Sequence, residues 1–144
     1  MVWAGFTSDG KAPLIFIDQY VEVNSQVYQK NRLEGSTSQL GQQPFIHKQD
    51  WAPSHGSEST KEVLDAHFPG YWKNDLWPAL SPDLNPLDYS VWGFLEQKVM
   101  AHSHPNLKSL KKALLKAWDE IDHDHLRRTI ESFPTLQKAC IEAK

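Results

Sequence analysis

Two aspartates stand where carboxylate chemistry can be run. Asp50 follows the short apolar run Phe45-Ile46-His47 and opens the irregular loop Trp51-Ala52-Pro53-Ser54-His55-Gly56. That is the C-terminal end of a predicted strand, where α/β sheets place their chemistry. Asp88 comes just after Asn85-Pro86. Asparagine at the N-cap and proline at the first helical position start a helix, and the helix dipole favours negative charge in that first turn. Ionised carboxylates brought together are hard oxygen ligands suited to Mg²⁺ or Mn²⁺. Two such ions roughly 4 Å apart clamp an in-line displacement at phosphorus. Each acid also has a plain structural reading: Asp88 reciprocates the Asn85 cap, and Asp50 serves a turn.

The other candidates are weaker. Two His-x-His pairs, His102/His104 and His123/His125, lack cysteine partners and the spacing of a closed tetrahedral zinc site, so solvated loop histidines are expected. Lys108, Lys111, Lys112 and Lys116 lie mostly opposite Leu107, Leu110 and Leu114. The ordinary reading is a solvated helix face; the alternative is phosphate contact, with Lys108 and Lys112 as the candidates, since a few lysines on one face suffice for weak, salt-dependent binding. Cys140 is a single cysteine in a helical pattern and is expected to be a buried or inert thiol. Trp3, Trp72, Trp77, Trp92 and Trp118 fit packing better than base stacking.

The whole chain must position these groups. Its 144 residues make one domain or a piece of a larger one, and 40% hydrophobic residues with six Trp, six Phe and four Tyr supply the apolar mass for a core, which argues against a disordered or fibrous chain. A net charge of −3 is no signature of a protein that wraps nucleic acid through bulk charge, so any DNA contact must be local. No apolar run reaches the length of a membrane span and no targeting signal is legible, so a soluble intracellular protein is expected.

Val2 to Phe6 and Leu14 to Ile17 flank the turn signal Ser8-Asp9-Gly10 and predict a hairpin. Uniform apolarity over Leu14 to Ile17 predicts a strand covered on both faces. A short helix is expected over 24–33, a loop over 34–43, and a helix from a Ser59/Glu62 capping box to about Phe68. Tyr71 to Trp77 reads as a last strand. Leu87, Val91 and Leu95 share a helical face from Asn85-Pro86 onward; Leu107, Leu110, Leu114 and Trp118 repeat at helical spacing, and a pair of short helices holds Leu126 and Ile130, then Leu136 and Cys140. The order predicts an α/β layer architecture with a helical C-terminal flank.

Three segments then carry a resemblance: Val2-Trp3-Ala4-Gly5, Gln49-Asp50-Trp51-Ala52-Pro53-Ser54-His55, and Ser81-Pro82-Asp83-Leu84-Asn85-Pro86-Leu87-Asp88-Tyr89-Ser90-Val91-Trp92. In that order they resemble the catalytic domain of mariner-like transposases, as does the tail around Leu114 to Trp118 and Phe133 to Ala139. The resemblance implies an RNase H-like mixed sheet flanked by helices, with three metal-binding acids that cut DNA at transposon ends and join the ends to a target. Asp50 looks like the second acid and Asp88 the third, with 37 residues between them. Asp83 would belong to the loop, and His55 resembles a histidine that shapes the site or contacts DNA. The implied cofactor is Mg²⁺ or Mn²⁺, the implied partners are transposon-end DNA and a full-length transposase or a second copy, and the implied location is the nucleus.

The sequence also departs from the family. The strand bearing the first acid and the amino-terminal helix-turn-helix region would precede Val2-Trp3-Ala4-Gly5, so residues 1–144 read as an N-terminally truncated, partial catalytic domain whose sheet lacks its first, central strand. Asp18 is the only other acid beside a strand end, and its family counterpart is non-catalytic. Trp51 is bulky where the family shows a small residue, and 29–43 is short and polar. With two acids the two-ion arrangement lacks its shared ligand, so the chain alone is expected to be inactive. Unpaired strand edges predict marginal stability, aggregation or a partner strand; cooperative unfolding of a soluble monomer at a high midpoint would contradict that. The alternative is a non-enzymatic interaction module that associates with or inhibits full-length transposase.

Overall fold

A computed structural model describes residues 1–18, 20–21, 26, 29, 46–48, 55, 57–68, 70–72 and 81–143. They belong to two compact units, Met1–Ser81 and Pro82–Lys144. In the first, the expected hairpin forms. Strand β1 (Val2–Trp3) pairs antiparallel with β2 (Ile15–Phe16), Val2 opposite Phe16 and Trp3 opposite Ile15. Phe6 and Lys11 bridge closer to the turn, where the Thr7 N–H donates to the Gly10 carbonyl at 2.7 Å. Ser8-Asp9-Gly10 makes the reversal because short polar side chains and glycine tolerate turn backbone. Leu14 and Ile17 are buried and Ile15 and Phe16 half-buried, so every position of that apolar run is at least partly covered. A Cβ on Gly5 would sit 3.0 Å from the Trp3 ring, so the indole packs closely over the glycine and a larger residue there would have to push it aside by a few tenths of an ångström.

Helix α1 (Glu58–His67) is capped by Ser57, not Ser59: the Ser57 Oγ accepts from the Thr60 N–H at 3.3 Å. The earlier start lets the Ser57 hydroxyl donate to Thr60 Oγ1 at 2.9 Å and brings Glu58 into the first turn, 2.7 Å from Lys61. A Ser59/Glu62 box would forgo both. Leu64 and Phe68 are buried with Val63 and Tyr71 packed against them, and the Phe68 ring lies 4.6 Å from that of His47. His47 and Tyr71 form a parallel bridge. Parallel pairing requires a crossover of a dozen or more residues, and α1 lies between the two bridge partners; the bridge is isolated, not a pair of strands, among the described residues. Burial pushes the Tyr71 phenol above its ordinary value, and a hydrogen bond from it to Asp65 adds to the effect. Among the described residues the sheet is two strands of two residues plus isolated bridges, less than the mixed sheet expected. The loop over 34–43 and most of the expected helix over 24–33 and strand over 71–77 lie outside the described residues.

The second unit is helical. A 3₁₀ turn (Pro82–Leu84) leads to a π-helical segment (Leu87–Trp92) that runs on into α2 (Gly93–Met100), where sequence periodicity predicts one ordinary α-helix. Val91, Leu95 and Val99 still share a face and are buried at 0, 1 and 5% exposure. Helix α3 (Leu107–Asp119) is capped by Asn106, which accepts from the Ser109 N–H at 2.9 Å; Trp118 is buried and Leu107 is 59% exposed, because Leu107 begins the helix at the margin of its apolar face. Helix α4 (His123–Glu142) is capped by Asp122, which accepts from the His125 N–H at 2.6 Å. Each cap contributes about 1 kcal/mol.

The last two short helices expected from the sequence are this single helix. Pro134 lies inside it; it removes the bond its nitrogen would give the Ile130 carbonyl and crowds that carbonyl with its ring, yet the helix continues through it to Glu142. Of the two readings of Cys140, buried or inert, burial does not hold: Cys140 is exposed, because the last turns of α4 run past the buried Leu126 and Thr129. No helix among the described residues is long and apolar enough to cross a membrane.

Candidate active site

Asp88 sits in the first turn of the π-helical segment and its side chain is exposed. The Asn85 carbonyl accepts from the Asp88 N–H at 2.9 Å and the Tyr89 N–H at 3.1 Å, while the Asn85 side-chain amide donates to Asp88 Oδ2 at 2.8 Å. In the expected cap the Asn85 side-chain oxygen would instead take a backbone N–H. An ionised carboxylate only accepts, so the amide must turn its NH₂ group toward Asp88. Pro86 occupies the cap position with no side-chain cap bond. Asn85 thus fixes one oxygen of the carboxylate, and no other hydrogen bond or ion pair engages Asp88 among the described residues.

The residues after Asp88 hold the segment to α4. The Tyr89 hydroxyl donates to the Thr129 carbonyl at 2.7 Å and lies 3.2 Å from Ser132 Oγ. Ser90 Oγ lies 3.0 Å from His125 Nε2 and 2.9 Å from Thr129 Oγ1. Thr129 is buried at 6% exposure, and the Phe94 ring stands 5.5 Å from that of His125. Sequence reasoning missed this cluster. The available signal was the polar series His125, Thr129, Ser132, which at spacings of four and three lies on one helical face.

The other candidates lie elsewhere or outside view. Asp50 is outside the described residues, and His55 is buried. Lys108 and Lys112 are exposed on α3, and Lys116 stands 3.9 Å from Glu120. The histidine pairs are not simply solvated. His102 and His123 are exposed, but His104 Nε2 lies 2.9 Å from the Val99 carbonyl at the end of α2, and His125 belongs to the Ser90 cluster. Among the described residues no group of three or more His, Cys, Asp or Glu is placed to hold a metal ion.

No protein-family model matches the sequence. Whole sequences do: the Tc3 transposase of Caenorhabditis elegans is 36% identical over 92% of this chain and 40% of its own length, and the Tcb2 transposase of Caenorhabditis briggsae is 28% identical over 100% of this chain and 52% of its own. The chain is a relative of the Tc1/mariner transposases. Solved structures agree on the fold. The Mos1 strand transfer complex superposes with a TM-score of 0.83 at 21% identity over 99% of this chain and 42% of that one, and the Mos1 catalytic domain solved with raltegravir and manganese gives 0.76 at 21% identity over 99% and 74%. The fold is therefore that of a mariner-like transposase catalytic domain, RNase H-like. The chain spans 40% and 52% of the length of those two curated relatives.

For a Tc1/mariner relative the chemistry to test is that of a divalent cation on carboxylates. Asp88 fits in type: it is an exposed carboxylate braced on one oxygen by Asn85, a hard oxygen donor of the kind Mg²⁺ and Mn²⁺ take.

Proposed function

We propose that this chain is the catalytic-domain segment of a mariner-like transposase, that its chemistry is metal-dependent DNA cleavage and strand transfer, and that Asp50 and Asp88 are its metal ligands. The observation that carries the reading is the exposed, Asn85-braced carboxylate of Asp88 in a sequence alike to transposases along nearly its whole length. That likeness also supports catalysis over a non-enzymatic interaction module. Mos1 catalytic-domain structures with manganese and with magnesium support the choice of ion. The ion supplies Lewis acidity at phosphorus and activates the attacking oxygen; the chain supplies the carboxylates and holds them in place.

On this reading the partners are transposon-end DNA and a full-length transposase or a second copy, and the working location is the nucleus. A Mos1 complex with a left transposon end supports the DNA partner. Lys108 and Lys112 are exposed and are the phosphate contacts proposed, whereas burial of His55 favours shaping the loop over touching DNA.

Nicking of a terminal-repeat duplex in Mg²⁺ or Mn²⁺ by the chain, Asp50→Ala and Asp88→Ala tests the assignment. The unaltered chain alone is expected to cut no more than background; cleavage that is lost in both variants would show that two acids suffice, and cleavage that survives in either overturns the assignment. Where the unaltered chain cuts no more than background, the same variants are compared for Mn²⁺ binding.

A further inference from the structure

One connected set of hydrogen bonds ties the cluster beside Asp88 to α4. The Thr129 hydroxyl lies 2.9 Å from the His125 carbonyl, which can only accept, and 2.9 Å from Ser90 Oγ. Ser90 Oγ in turn meets His125 Nε2 at 3.0 Å, where the tautomer of the ring decides which of the two donates. Ser132 donates to the Thr129 carbonyl at 2.8 Å, and the Tyr89 proton goes to the same carbonyl, which leaves the 3.2 Å Tyr89–Ser132 approach secondary.

We infer that Tyr89, Ser90, His125 and Thr129 are a positioning network that fixes the rotation of the Leu87–Trp92 segment about its own axis and so aims the Asp88 carboxylate. The inference rests on Asp88 being a metal ligand. Ser90 lies two positions after Asp88, about 200° around an α-helical axis and less around a wider π turn. With Ser90 facing α4, Asp88 must therefore face away, and its exposure fits. Val91, fully buried, holds the segment against the core, but a small apolar contact sets depth better than rotation. Directional bonds to the buried Thr129 and to the His125 ring supply what packing does not. The π-helical turn itself fits the role, since such turns cluster at functional sites.

The test compares Mn²⁺ affinity by titration calorimetry, and the Asp88 N–H residual dipolar coupling by NMR, in the full chain and in Ser90→Ala, Ser90→Thr, Tyr89→Phe and Asp88→Ala. Loss of partners that orient a metal ligand costs about tenfold or more in affinity. Ser90→Ala is expected to weaken Mn²⁺ binding by that factor and to shift the Asp88 coupling while couplings at Leu95 and Leu126 stay put. Ser90→Thr, which keeps the hydroxyl, restores both. Tyr89→Phe keeps the ring, and is expected to move both readouts the same way should Ser90→Ala fail to fold. Variants that bind Mn²⁺ like the parent, or leave the coupling unchanged, overturn the network while Asp88→Ala still abolishes binding. A chain that binds no Mn²⁺, or binds it equally without Asp88, overturns the ligand assignment and the network with it.

Discussion

Asp88→Ala is expected to lower the affinity of the chain for Mn²⁺ by more than about a hundredfold, beyond the upper end of what loss of a ligand's outer partners costs. The reason is the small donor set. Hard cations of this kind are held by a few carboxylates plus water, so removing one of two proposed protein carboxylates leaves a single monodentate anion against bulk water. Asp88→Asn should lose nearly as much, because the amide keeps the shape and discards the charge. Asp83→Ala serves as the control: Asp83 is exposed in the 3₁₀ turn five residues earlier and should leave binding unchanged. Calorimetric titration of the three variants checks this, and Asp88→Ala binding within twofold of the parent would remove Asp88 from the site.

Leu126→Ala is expected to destabilise the second unit by about 3 kcal/mol, within the 2–5 kcal/mol of buried Leu→Ala changes. Leu126 is 0% exposed, so the change removes apolar contacts and leaves a cavity that close-packed neighbours fill only in part. The effect is also functional, since Leu126 immediately follows His125, and a collapse there would shift the ring that meets Ser90. Leu107→Ala is the matched comparison: at 59% exposure it should cost roughly 0.5 kcal/mol or less. Urea denaturation followed by circular dichroism distinguishes the two. Equal losses would show that Leu126 is not in the core of this unit.

The parts legible in the sequence are those whose determinants are local. Ser8-Asp9-Gly10 between two apolar runs specified the hairpin, and Leu64 with Phe68 marked the buried face of α1, although two serines close together shifted its cap by two residues. The i, i+4 spacing of Leu87, Val91 and Leu95 identified a helical stretch but could not distinguish a π-helical turn, because residues four apart stay close to one face in both geometries, and Val91 and Leu95 are buried. What holds that turn is non-local: the Tyr89 and Ser90 bonds to α4 span 35 to 43 residues, beyond any periodicity. The single helix α4, where a pair of short helices was expected, escaped the sequence for a related reason. A proline is a strong local stop signal, yet α4 is anchored by Leu126 and Thr129 on one side of it and continues beyond. Asp88 was singled out by its motif, and its exposure follows from its place in the first turn. Its brace was not foreseen, because an asparagine three residues before an aspartate reads equally well as a cap or as a donor to the carboxylate.

The most direct measurement is a crystal structure of the chain soaked with Mn²⁺, with the ion located by its anomalous scattering. The account predicts a peak bonded to carboxylate oxygens of both Asp50 and Asp88 at about 2.0–2.2 Å, near the distance of a small octahedral dication. A peak that touches neither acid, or the two side chains on opposite sides of the molecule with no ion between them, would contradict it.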